Sequence, residues 1–193
     1  MGLINKDKLE RVAWNDEKPN NQTSTTVAHA KGLIAYSKAA GKGFYLVHSI
    51  PKYPAFLADH TINMTIAKAE QVYGQNLACF SLSLYELNNI ALNLQGIHPY
   101  IYESMVTSGA VNQYLNDLAR GVVTTLKDQF RYYDMKPTNY NLKSIFKTNT
   151  VNGSIFEDGL VQWLKAGKIT AETWGRPLEG PWCSSNYQVN NVQ

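Results

Sequence analysis

Three residues have types and spacing that suit phosphate chemistry: His29, Lys31 and His48, all within AHAKGLIAYSKAAGKGFYLVHSIPKYP at 28–54. An imidazole is the side chain whose ordinary pKa lets it act as nucleophile or as acid near neutral or mildly acidic pH. A lysine beside it supplies fixed positive charge for phosphoryl oxygens as charge develops in the transition state. Such a set attacks a phosphodiester without a divalent metal, so His29, Lys31 and His48 are the expected catalytic residues, with no cofactor and no metal. His60 and His98 stand in no comparable pattern and read as structural.

The elements that must position these side chains are two strands and a turn. KGLIAY and GFYLVHSI are β-branched and aromatic runs on either side of SKAAGK, which reads as a hairpin. Residues two apart on a strand share a face, so His29 and Lys31 would project together. With the turn centred near residue 40, residues whose numbers sum to about 80 face one another. That puts His48 opposite or nearly opposite Lys31. The prolines of PKYPAF end the second strand and force a bent, extended exit.

Around the hairpin, NDEKPNNQTSTTV at 15–27 reads as a polar loop, and YGQNLACFSLSL at 73–84 as a further strand. YELNNIALNLQGI carries Leu87, Ile90, Ala91 and Leu94 at helical spacing and ends near Gly96. VNQYLNDLARGV suits a second helix. The clearest helical stripe is Ile155, Phe156, Leu160, Trp163 and Leu164, and ITAETW then reads as a strand. The order is mixed α and β, without internal repeats or linkers.

The chain has 193 residues, 44 % hydrophobic and 17 % charged, which fits a globular domain and excludes global disorder. A net charge of +3 permits an anionic partner without demanding one. No run approaches the roughly 20 apolar residues of a membrane helix. The first 20 residues are too charged for a secretory leader, so the chain reads as soluble and without an export signal. Cys79 and Cys183 lack metal-ligand spacing; they could form one bridge, or each could pair with a partner outside this chain. Sequons begin at Asn21, Asn63 and Asn152, a number that composition alone accounts for.

His29-Ala30-Lys31-Gly32, followed by Gly43-Phe44-Tyr45-Leu46-Val47-His48-Ser49-Ile50-Pro51, resembles the deoxyribonuclease II family, whose members carry HTKG-like and GFWLVHSVP-like segments. Further matches run in the same order. Tyr73-Gly74-Gln75 leads into Cys79, and His98-Pro99-Tyr100-Ile101-Tyr102 stands in place of a YPWVY-like stretch. Trp174-Gly175, Cys183 and Tyr187–Gln193 look like the family's WG, cysteine and WQVLNVNQ-like segments. The resemblance covers nearly the whole chain.

The resemblance implies an acid endonuclease that cuts DNA without a divalent metal and leaves 3′-phosphate ends, acting in lysosomes or after secretion. The fold it implies is α/β (mixed α+β): a phospholipase D-like lobe with a mixed sheet flanked by helices, and a second lobe that is incomplete. The first lobe would occupy roughly residues 1–135 and the start of the second 136–193. Each lobe of such a fold gives one His-x-Lys pair; one histidine forms a phosphohistidine and the other protonates the leaving oxygen. His29 and Lys31 match the first pair, and His48 matches the extra histidine of the LVHS block. Ala30 replaces threonine, on a side chain expected to face away.

The second pair follows the WQVLNVNQ-like segment in the family, and no histidine occurs here after His98. The start likewise shows neither the family's signal peptide nor its first strand. The resemblance makes Cys79 and Cys183 orphans of cysteines beyond these ends. The expectation is therefore a truncated nuclease, weakly active or inactive alone, with exposed apolar sheet and self-association; the alternative is a non-catalytic secreted DNase II-like binding protein. A homodimer supplying a second His29 in trans is a further expectation, although an offset pair of part-lobes does not map onto a two-fold axis.

Overall fold

The computed structural model describes residues 9–58, 61–125, 130–136, 141–148, 150–165, 168–171, 182–183 and 188–191. His60 and Trp174-Gly175 therefore lie outside the described residues, as does the side chain of Cys183.

The strands are β1 (Glu10–Asn15), β2 (Lys31–Ser37), β3 (Lys42–His48), β4 (Ala55–Phe56), β5 (Ile62–Asn63), β6 (Leu77–Ser83), β7 (Ile101–Met105), β8 (Phe130–Met135), β9 (Leu142–Lys147), β10 (Lys168–Ala171), β11 (Trp182–Cys183) and β12 (Gln188–Asn191). The helices are α1 (Leu84–Gln95), α2 (Gln113–Ala119) and the single turn α3 (Gln162–Leu164). Five strands form an antiparallel sheet in the order β6-β3-β2-β1-β7. A smaller sheet, β10-β12-β11, contains the parallel pair β10–β12, so the chain is mixed α and β with sheets of both kinds.

The β2–β3 hairpin forms as expected. Its pairs run from Gly32↔Val47 to Ser37↔Lys42, each summing to 79, and the same register sets Lys31 opposite His48. Gly41 closes the turn at φ 62°, a left-handed conformation that favours glycine. Gly32 is required for a different reason: a Cβ there would lie 2.5 Å from Trp14 Cζ2 and 2.7 Å from the Leu46 carbonyl oxygen.

One sheet face carries Val12, Trp14, Ile34, Tyr36 and Tyr45 into the main core, against Leu87, Ile90, Ala91 and Leu94 of α1. These four α1 residues are the stripe read from the sequence. Ser83 caps α1 by accepting from Glu86 N. The β8–β9 hairpin adds Met135 and Phe146 to this core, and Tyr133 donates a hydrogen bond to Glu86 of α1. The other face buries Ala13, Leu33 and Leu46 under Phe44, Phe56 and Tyr102.

Three expectations change. No strand is expected before the hairpin, yet β1 lies inside the sheet. Its Val12, Ala13 and Trp14 are all buried, so a strand covered on both faces shows no alternation to read. The second helix shrinks to seven residues, ended by Gly121 at φ 71°. The expected helix over 155–164 is a π-helical turn at Ile155–Val161 running into α3. The wider turn rotates the stripe, so Glu157, Gly159 and Val161 are buried while Leu164 is exposed. Gly159 packs directly on Ile145 and Phe130, where a Cβ would fall 2.5 Å from Ile145 Cδ1.

Candidate active site

β2 begins at Lys31, so His29 lies in the bend before the strand and not on it. The two side chains consequently differ in setting: 86 % of His29 is exposed and only 3 % of Lys31. The bend before β2 leaves the imidazole in solvent while the ammonium is buried. The two residues are joined through Asp16, just beyond the end of β1. Lys31 Nζ donates to Asp16 Oδ1, while Asp16 Oδ2 lies 3.9 Å from His29 Nε2. Glu17 Oε1 is a further 3.6 Å contact of the Lys31 ammonium.

The β1–β2 register explains this grouping. Asn15 pairs with Lys31, so the residues following Asn15 are delivered beside the lysine. Asn15 is fully buried; its Nδ2 donates to the carbonyls of Ile50 and Tyr53, both at 3.1 Å, and its Oδ1 accepts from Glu17 N at 2.9 Å. One amide thus pins the acidic pair to the exit of β3. The polar segment at 15–27 gives no sign of this role by composition, and only strand pairing reveals it.

His48 shares a sheet face with Lys31 and is buried, its ring standing edge-on to Tyr53 at 5.2 Å. Its Nδ1 accepts from Ile50 N at 3.2 Å, which leaves the proton of the neutral ring on Nε2. Nε2 is buried with no hydrogen-bond partner among the described residues. Burial, reinforced by the Lys31 charge, lowers the pKa of His48 to about 4. The imidazole is therefore held neutral as a donor at Nε2.

A cleft of about 450 Å³ is lined by all three expected residues, together with Tyr45, Ser144 and Phe146. The structure thus brings the three residues to one cleft, with His29 as its solvent-facing member. Among the described residues no group of three or more His, Cys, Asp or Glu side chains is arranged to hold a metal ion.

Comparison with known proteins decides the family. The chain matches the deoxyribonuclease II family over residues 3–193. It belongs to that family. Plancitoxin-1 of Acanthaster planci is 28 % identical over 196 residues, covering 97 % of this chain and 53 % of that protein. Deoxyribonuclease-2-alpha of Mus musculus is 27 % identical over 206 residues, covering 97 % and 54 %. A putative deoxyribonuclease-2 of Burkholderia pseudomallei is 31 % identical over 96 residues, covering 47 % of this chain and 25 % of that protein. The chain thus spans about half the length of plancitoxin-1 and of the mouse protein.

Proposed function

We propose that this DNase II family chain carries the nucleophilic half of a DNA-cleaving site, with His29 as nucleophile, Lys31 as electrostatic support and His48 as a neutral hydrogen-bond donor. The observation that carries the reading is His29, an exposed imidazole at the mouth of a cleft beside the buried Lys31–Asp16 pair. An exposed ring can approach a phosphodiester without first being freed from a hydrogen-bond partner.

In this mechanism a His29 ring nitrogen attacks phosphorus and the P–O5′ bond breaks. A phosphohistidine forms on the 3′ side, and the 5′ oxygen leaves as a hydroxyl after gaining a proton. Water then attacks the phosphohistidine, releases the 3′-phosphate and restores the imidazole. Lys31 stabilises the negative charge that gathers on the phosphoryl oxygens. A neutral imidazole is a poor acid, so His48 suits hydrogen bonding to the phosphoryl group better than protonation of the leaving oxygen. The resemblance supplies a second His-x-Lys pair for that proton, in a phospholipase D-like arrangement of two lobes. We read the setting as lysosomal or extracellular on the same ground.

The second reading is a non-catalytic binding protein. It is favoured by the burial of both the Lys31 ammonium and His48 Nε2, which leaves His29 alone in solvent. Plasmid DNA cleavage at mildly acidic pH in EDTA, with wild-type protein and His29→Ala, separates the two. Cleavage that persists in EDTA and disappears in the variant supports the nuclease. Absence of cleavage in both, with DNA still bound, supports the binding protein.

A further inference from the structure

Two clefts meet at His29. One is the 450 Å³ cleft described above; the other, of about 690 Å³, runs toward β9 and is lined by residues including Val27, His98, Lys147 and Ile155. Both are lined by His29, Ala30, Ile97, Ile145 and Phe146, so a ligand passing from one to the other crosses the proposed nucleophile. We propose that the larger cleft seats a nucleoside flanking the scissile phosphate, with Lys147 contacting the next phosphate of the same strand. This inference rests on the nuclease reading of His29.

Shape and chemistry favour that occupant. A volume of roughly 300–1,000 Å³ suits a small-ligand cleft, and a nucleoside offers an apolar base face with a polar sugar. Val27, Ile97, Ile145, Val151 and Ile155 give apolar wall, and Thr25, Thr26 and His98 give hydrogen-bonding groups. The wall is tied to the nucleophile's own loop. His98 takes a left-handed φ of 59°, and its carbonyl accepts from Ala28 N at 3.0 Å, immediately before His29. A non-glycine residue held at positive φ is uncommon and marks a connection fixed by its surroundings.

Charge selects Lys147. Lys31 is matched by Asp16 and Glu17, and Lys143 is matched by Asp134 at 2.7 Å while lying over the Trp163 ring. Lys147, at the end of β9, is exposed and has no ion pair among the described residues. An anionic strand gains more from an uncommitted cation than from one already neutralised, because no existing pair is broken.

The test is binding of fluorescein-labelled oligodeoxynucleotides by anisotropy, in protein carrying His29→Ala so that the probe is not cut. Lys147→Glu is compared with Lys42→Glu, an equal charge change at an exposed lysine outside both clefts. Lys147→Glu is expected to weaken binding about tenfold or more and to reduce the salt slope by about one phosphate contact. Lys42→Glu should change affinity less than about threefold on the same scale. Filling the cleft with Ile155→Trp should weaken the probe as well, with folding checked by thermal melting. Equal effects of the two lysine variants, or no oligonucleotide binding in the parent, overturn the groove. Failure of the nuclease reading is seen separately, as plasmid cleavage that His29→Ala does not reduce.

Discussion

The Lys31 ammonium lies buried against the Asp16 carboxylate, with 3 % of the lysine side chain and 11 % of the aspartate exposed. Its charge is therefore spent locally before any substrate arrives. A phosphate at His29 meets a lysine already shared between Asp16 and Glu17. It also meets the free side of the Asp16 carboxylate, 3.9 Å from the His29 ring. Asp16 thus fixes Lys31, and in the proposed site its carboxylate opposes the anion that His29 would receive.

Replacing Asp16 with asparagine separates these two effects. Removing one negative charge near the phosphate favours binding by about 1 kcal/mol or more, depending on solvent access. Breaking a buried pair costs stability, about 3 kcal/mol here because Glu17 remains nearby. The expected result for D16N is tighter DNA binding, slower cleavage per bound complex and a lower melting temperature. A positioning role for Asp16 is wrong if KM and kcat both stay at wild-type values while the melting temperature falls.

His48 gives the fold a pH dependence whose sign follows from its lowered pKa. The unfolded imidazole takes a proton near pH 6.5, whereas the buried ring takes one only near pH 4. Between those values the unfolded state binds more protons, so stability falls as the pH drops from 6.5 to 4. Above pH 6.5 the contribution is fully present, and below pH 4 nothing more is lost from this group. The full span corresponds to a loss on the order of 3 kcal/mol. Urea unfolding at pH 7.5 and at pH 4.5 should show this difference in wild type and a smaller one in His48→Gln.

Gly32 links the packing of the sheet to the site beside it. A methyl group there meets the Trp14 ring and the Leu46 carbonyl oxygen, and the backbone contact cannot be relieved by a rotamer change. Gly32→Ala should cost about 3 kcal/mol through overpacking. The measurement is a thermal or urea midpoint. A variant as stable as wild type would mean that β2 and β3 separate with little resistance next to Lys31.

The sequence displayed the hairpin well because its signals are local. Alternating runs and a glycine turn brought the expected register within one of the observed sum of 79, and α1 matched because its buried stripe is strictly helical. Asp16 and Glu17 were invisible because their importance comes from β1 pairing with β2, a contact between segments separated by a polar loop. β1 hid for the related reason that both of its faces are buried. The 155–164 segment misled because it winds as a π-helical turn, which buries Glu157, Gly159 and Val161 in place of the stripe that a 3.6-residue period would bury. His29 and Lys31 were legible as a pair, yet the bend before β2 separates their environments in a way that two-residue spacing cannot express.

That separation yields the sharpest expectation for function. His29 is 86 % exposed, so His29→Ala should change stability by no more than about 0.5 kcal/mol, as surface substitutions usually do. If His29 is the nucleophile as proposed, its loss should slow DNA cleavage about 10³-fold or more, because removing it disables every member of a unit that acts together. Lys31→Ala differs in kind: it strands Asp16 as a buried unpaired carboxylate and should lower both activity and stability, the latter by about 3–5 kcal/mol. Melting curves alongside cleavage rates for the two variants test the assignment. A His29→Ala protein that cuts DNA at the wild-type rate removes His29 from the chemistry, whatever Lys31→Ala does.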